Sequence, residues 1–147
     1  MNNNHYLKLL LSLVISFFVM YAVMFLNVDE SSHIYLSINR LYMSLLMVSP
    51  MAIIMVIVMR GMYPNKMVNG AIMATGLIVF VVSFICLRTQ AFISDRQYMK
   101  GMIPHHSSAI MTSKHAAIKD PEVRMLADSI IKSQEEEIQR MKAALED

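Results

Sequence analysis

Residues 67–100 read MVNGAIMATGLIVFVVSFICLRTQAFISDRQYMK, and this stretch decides the fold. Its first part, residues 67–87, has no charged side chain. It matches the roughly 20 residues that a helix needs to cross the hydrocarbon core of a membrane. Arg88 ends the apolar run, and from about Phe92 charged residues recur at helical spacing. The stretch therefore predicts a membrane span followed by a soluble helical region.

Two more apolar stretches precede this one. Residues 7–27 contain only Lys8 as a charge, and residues 41–59 contain none. Lipid offers no partners to backbone N–H and C=O groups, so each stretch should be a helix. We predict an all-α chain in which residues 1–91 form three transmembrane helices and residues 92–147 form a soluble region.

The overall composition agrees with a membrane protein and excludes other classes. Of the 147 residues, 56% are apolar, and the net charge of +2 leaves no footprint for nucleic acid. The single cysteine excludes an internal disulfide. We expect the lipid bilayer to be the main partner, with no nucleic-acid partner.

Charges beside the spans predict the orientation. Arg60 and Lys66 in the short second turn favour the cytoplasmic side, whereas the acidic first loop favours the outside. Basic residues after the third span point the other way, but a short turn should obey the bias best. We expect a multi-pass protein of the bacterial inner (plasma) membrane, with a cytoplasmic N-terminus and a periplasmic C-terminal region. In the first loop we expect His33, Asp29 and Glu30 to be solvated.

The soluble region has the pattern of a helical hairpin. Ser94 and Gln97 fit a capping box, which predicts a helix over about 95–118. Asp120, followed by proline, then predicts a second helix over about 121–145. The short link makes the two helices antiparallel. A hairpin of this size buries little surface, so a metal, a second copy or the membrane helices should complete it.

A turn of about 100° per residue predicts which faces of the two helices meet. The inner face of the second helix holds Val123, Ala127, Ile130, Ile131, Gln134, Ile138, Met141 and Leu145. The matching face of the first helix holds Met99, Met102, Ile103, His106, Ala109, Ile110, Ser113 and Ala117. Pro104 lies within the first helix and predicts a kink.

Histidine and methionine side chains on these faces suggest a metal site. Imidazole and thioether groups are soft-to-borderline donors that select Cu(I) and, by the same logic, Ag(I). Met102 and His106 are one turn apart, and His105 adds a donor at a different angle. Met141 comes from the facing helix, and Glu137 is placed to hold the N–H of a ligating histidine.

The remaining candidates and the competing explanations are broader. Met99, and Met111 with His115 one turn further on, join the candidate ligands, and Gln134 joins Glu137 around them. Zinc is a further possible metal, although it seldom takes a thioether. A histidine on a helix is often an ordinary polar residue, and methionine often fills gaps in a core. The chain has no Glu-x-x-His di-iron motif, nucleophile–base set or phosphate loop, so we do not expect an enzyme.

Methionines also recur in the membrane spans. They occupy every fourth position of the second span and two positions of the first: Met43, Met47, Met51, Met55, Met59, Met20 and Met24. Cys86 lies toward the outer leaflet in the predicted orientation. Successive thioethers could pass Cu(I) along a helix, so a copper-transporting path is an alternative function. Adaptable packing among apolar helices is the structural explanation.

The hairpin residues resemble a known family. MIPHHSSAIM, followed by LADSIIKSQEEEIQRMKAAL, is similar to the domain-of-unknown-function-305 (DUF305) family over about residues 94–147. The matching positions are Met102, His105, His106, Ala109, Ile110, Met111, Leu126, Ala127, Ile130, Gln134, Glu137, Ile138 and Met141. One departure is Ala144, where the family often has tryptophan.

The resemblance implies a ferritin-like helical bundle and copper binding through His and Met ligands, among them His105, His106, Met102, Met111 and Met141. Because this chain offers only one hairpin, we predict that it self-associates. The leading interpretation is a membrane-anchored copper-binding protein for sequestration, sensing or hand-off. The alternatives are a Met-lined copper transporter and a structural assembly module with no metal.

Overall fold

The computed structural model describes residues 4–146, which contain five α-helices and no β-strand. The helices are α1 (Asn4–Val23), α2 (Ile38–Val58), α3 (Lys66–Thr89), α4 (Asp95–His115) and α5 (Pro121–Glu146). A short 3-10 turn, Ser31–His33, lies between α1 and α2. The predicted all-α class is therefore confirmed.

Helices α1, α2 and α3 are long and apolar enough to cross a membrane, as predicted. Their ends differ from the predicted spans by a few residues. The largest difference is in α1, which ends at Val23 because the chain turns at residues 24–27. At the other end of this apolar region, Asn65 caps α3 by accepting hydrogen bonds from the backbone N–H groups of Met67 and Val68.

The chain divides into two compact units. The first contains the described part of Met1–Val23 together with Asn39–Phe92, so it holds the three apolar helices. Leu9, Val56 and Tyr63 form its buried cluster. The second unit contains Met24–Ile38 and the chain from Ile93 onward.

Helices α4 and α5 of the second unit form the predicted antiparallel hairpin. Ile103, Ile110 and Ile138 make its core, each at most 2% exposed. Asp120 caps α5 as predicted, since its Oδ1 accepts hydrogen bonds from the N–H groups of Glu122 (2.8 Å) and Val123 (3.3 Å).

The start of α4 shows one correction. The helix begins at Asp95 as predicted, but the Ser94 side chain makes no capping hydrogen bond. Gln97 does not reach back to Ser94 either, because its Oε1 accepts a hydrogen bond from the N–H of Ile38 (3.1 Å). The capping-box prediction was therefore wrong. An amide at the start of α2, which has no partner within its own helix, takes the glutamine instead.

The end of α4 shows a second correction. The helix stops at His115, not at residue 118, and Arg124 Nη1 donates a hydrogen bond to the Ser113 carbonyl near this end. Ala117 therefore lies outside the helix and is exposed. Val123, also predicted to face inward, is 48% exposed because it sits beside the link where α4 has already ended.

Residues Met24–Ile38, which we call the strap, pack against the hairpin. The sequence analysis assigned them to the membrane region, but they belong to the second compact unit. Tyr35 packs on the isoleucine core of the hairpin. His33 is only 7% exposed, so the prediction that it is solvated was wrong. A covering segment from the same chain thus supplies packing surface that the two-helix hairpin lacks.

Candidate metal-binding pocket

One pocket in the second unit collects several of the predicted site residues. It measures about 260 Å³ and lies between α4 and α5. Its lining residues are Tyr98, Met102, His106, Glu137, Arg140 and Met141. Three predicted ligands and the carboxylate predicted to support them therefore lie around one space, although they come from two helices and are separated by up to about forty positions in sequence.

Helix geometry and register explain this convergence. Met102 and His106 are one turn apart on α4, and Glu137 and Met141 are one turn apart on α5. The antiparallel pairing brings the start of α4 to the end of α5, where Arg96 Nη2 donates a hydrogen bond to the Leu145 carbonyl at 2.7 Å. This contact helps to set the register that places the two pairs opposite each other.

His106 has an electrostatic environment suited to a neutral imidazole. It is 8% exposed, and its Nδ1 lies 3.2 Å from Glu137 Oε2. The alignment is not that of a hydrogen bond, so Nδ1 is a buried atom without an aligned partner. Burial lowers the pKa of His106; Glu137 opposes this effect and His105 adds to it. The neutral ring that results is the form that binds metal ions.

Glu137 is held in place by a neighbour on its own helix. Ser133 Oγ donates a hydrogen bond to Glu137 Oε1 at 3.0 Å, which leaves Oε2 facing His106. The carboxylate is about half exposed, so it remains ionised without the penalty of deep burial. Gln134, predicted beside it, is half-buried and does not line the pocket.

Four other predicted ligands lie apart from the pocket. His105 is exposed, and its ring centre is 6.2 Å from that of His106. Met99 and Met111 are half-buried and do not line the pocket. The exposed His115 donates from Nδ1 to the Met111 carbonyl at 2.9 Å, which confirms only that the two are one turn apart.

The donor set limits which ions the pocket suits. Within residues 4–146, no three His, Cys, Asp or Glu side chains converge as a metal cluster would. A site at this pocket must therefore use the thioethers of Met102 and Met141 beside the His106 imidazole. Thioether sulfur favours soft ions, and hard ions such as Ca²⁺ or Mg²⁺ need several oxygen ligands.

Comparison with known proteins places the chain in a family. The family described as "Domain of unknown function (DUF305)" matches residues 83–145. The chain is also 39% identical, over 150 aligned residues, to "Uncharacterized protein L153" of Acanthamoeba polyphaga mimivirus. The alignment covers all of this chain and 95% of the viral protein. The chain belongs to the DUF305 family. No solved structure matches it.

The DUF305 match covers α4, nearly all of α5 and every residue of the pocket. Sequence reasoning missed two of the pocket residues, Tyr98 and Arg140. Tyr98 lies four positions before Met102 and so shares its face, a spacing that could have indicated it. Arg140 lies three positions after Glu137 on α5, and the same rule applies to it.

The methionines of the membrane spans of this DUF305 protein do not form one path. Met55 and Met59 pack against the buried cluster around Leu9, whereas Met43 and Met47 are 46% and 39% exposed. The described groove among the three apolar helices measures about 410 Å³, and none of the predicted methionines lines it, nor does Cys86.

Proposed function

We propose that this DUF305 protein is a membrane-anchored binding protein for a soft metal ion, with Cu(I) as the favoured ion. Its role would be sequestration, sensing or hand-off. The observation that supports this most is the pocket, where Met102, His106 and Met141 lie together beside Glu137. The unpartnered Nδ1 of the buried His106 is the atom that most needs a partner.

The residues present fit such an ion. The two methionines supply neutral, polarisable sulfur, and His106 supplies a neutral nitrogen because its pKa is lowered. A small rotation of the imidazole would align Nδ1–H with Glu137 Oε2 and leave Nε2 as the ligand, the arrangement common around metal-bound histidines. Silver shares this chemistry, and zinc fits less well because it seldom takes a thioether.

The anchor and its orientation complete the proposal. The three apolar helices would hold the hairpin at a membrane surface, with the turn that contains Arg60 and Lys66 in the cytoplasm and the hairpin outside. Residence in a bacterial plasma membrane and self-association through the hairpin stay predictions. The absence of enzymatic activity and the methionine path for copper transport also stay predictions, and the latter gains no support from the groove between the spans.

The test is a competition titration of the full-length protein in detergent against a colorimetric Cu(I) chelator. The full chain is needed because the strap packs on the hairpin. We expect His106→Gln to weaken Cu(I) binding by at least about tenfold, the size of effect expected when a metal site is disturbed. His115→Gln is the matched control, since His115 is exposed and outside the pocket. Equal affinity in the wild type and His106→Gln would contradict the site and favour the structural assembly alternative.

A further inference from the structure

The strap is attached to the hairpin through one buried serine. Ser107 Oγ on α4 accepts a hydrogen bond from the backbone N–H of Asp29 at 2.8 Å. The same oxygen lies 2.9 Å from Nδ1 of His33. Ser107 is fully buried, and His33 is 7% exposed. Two points of the strap therefore meet at one hydroxyl group that water does not reach.

The donors and acceptors define how protons are arranged at this contact. The Asp29 N–H uses one acceptor site of the Ser107 hydroxyl, which leaves the hydroxyl proton free to be donated to Nδ1 of a neutral His33. Protonation of Nδ1 would turn this acceptor into a donor. Ser107 Oγ would then have to accept two hydrogen bonds, and its own proton would need another partner inside the core.

The charges around His33 come from all three packed segments. Glu30 and Asp29 lie on the strap, and Glu30 Oε2 is 3.8 Å from His33 Nε2. On the hairpin, Lys114 lies 2.8 Å from Asp29 Oδ2 and 3.4 Å from Glu135 Oε1. Lys142 of α5 donates to the strap residue Ser32 at 3.1 Å.

These surroundings favour the neutral ring. Burial lowers the pKa of His33 most, Lys142 and Lys114 lower it further, and Glu30 and Asp29 oppose the shift. The nearest acid of the strap, Glu30, also accepts a hydrogen bond from Ser32, and Lys114 neutralises Asp29. The local acids are therefore partly engaged with other groups.

A pocket beside the contact gives solvent access to the edge of this site. It measures about 220 Å³ and has both strap and hairpin residues in its wall. The strap contributes Asp29, Glu30 and His33, and the hairpin contributes Ile110, Glu135, Ile138, Gln139 and Lys142. Water in this space could deliver a proton to His33 without unfolding of the hairpin.

We propose that the strap is a pH-sensitive clasp: neutral His33 docks it on Ser107, and protonation of His33 releases it from the hairpin. The inference does not depend on metal binding, because neither His33 nor Ser107 lines the pocket of His106. Release would expose the core around Ile110 that the strap residue Tyr35 covers. Acidification would thus convert a closed hairpin into one with an open apolar surface.

Hydrogen–deuterium exchange of the metal-free, full-length protein in detergent tests the clasp. Protection factors of the strap amides, corrected for intrinsic exchange, are compared at about pH 7.5 and about pH 5, on either side of the ordinary histidine pKa. The Asp29 amide is the most direct reporter because it donates to Ser107. We expect a several-fold loss of strap protection at the lower pH, while the core of α5 around Ile138 keeps its protection. Unchanged protection of the strap would overturn the proposal.

Three variants separate His33 from other titrating groups. His33→Asn retains a side-chain amide near the position of Nδ1, so the strap should stay docked at both pH values; an acid-induced loss that persists in this variant contradicts the clasp. His115→Asn, at an exposed histidine, should leave the acid response intact. Lys142→Gln removes a charge that lowers the His33 pKa, so release should occur at higher pH than in the wild type. An unchanged midpoint in Lys142→Gln would count against the clasp even if His33→Asn fails to dock.

Discussion

Glu137 Oε2 lies 3.2 Å from the buried Nδ1 of His106, across the interface between α5 and α4. This pair joins the two helices at the pocket that contains Met102 and Met141. The carboxylate is close enough to orient the ring with a small rotation, so it should matter for metal affinity even without ligating the ion.

We therefore expect Glu137→Gln to weaken Cu(I) binding about 10- to 100-fold, because the amide holds the imidazole N–H less strongly than a carboxylate does. The measurement is chelator competition on the full-length protein. Glu136→Gln is the control, because Glu136 is exposed and does not line the pocket. The proposed role of Glu137 would be wrong if both variants bound Cu(I) as the wild type does.

The stability of the metal-free protein should fall in acid. His106 and His33 both have pKa values lowered by burial, below the ordinary value near 6.5 of an unfolded chain. A lowered pKa in the folded state means that their contribution is fully present above this value and is lost as the pH falls below it. Thermal unfolding in detergent with a metal chelator, from about pH 8 to about pH 5, should show a falling Tm. A constant or rising Tm would contradict the directions of both shifts.

The hairpin core should depend on Ile103. This side chain is fully buried, and we expect Ile103→Ala to lower the free energy of opening of α4 by about 2–5 kcal/mol through lost burial and a residual cavity. Native-state hydrogen exchange of the α4 amides measures that free energy. Leu126→Ala, at a side chain that is 60% exposed, should change it by less than about 0.5 kcal/mol. Similar effects of the two variants would show that Ile103 is not packed as described.

The apolar helices should be sensitive to Gly76 and tolerant at Gly70. A Cβ atom on Gly76 would lie 3.0 Å from Ile53 Cγ1 and 3.1 Å from the Ser49 carbonyl oxygen, so α2 and α3 would have to move apart. Gly70 has open space at the same position. Gly76→Ala should therefore lower the Tm in detergent. Gly70→Ala should maintain or raise it, since alanine favours a helix by about 0.5–1 kcal/mol. A higher Tm for Gly76→Ala would contradict the close approach of α2 and α3.

Much of the candidate site could be predicted because it depends on helical repeats. Met102 with His106, and Glu137 with Met141, follow from a spacing of four residues, and an antiparallel hairpin then brings the two pairs together. His105 shows the limit of this reasoning. It is adjacent to His106 in sequence, but about 100° of rotation around the helix leaves it exposed, and sequence alone did not show on which side of the donor face it would fall.

The amino-acid sequence by itself determined the three apolar helices and the hairpin, because span length, charge and capping residues act locally along the chain. Only the tertiary structure decided the position of the strap. A loop with Asp29, Glu30 and His33 has the composition of a solvated segment, and its burial depends on Ser107 and Lys114, more than seventy positions away. No local pattern encodes such a match. It arises when distant donors, acceptors and charges meet on the folded hairpin, where desolvation makes their pairing necessary.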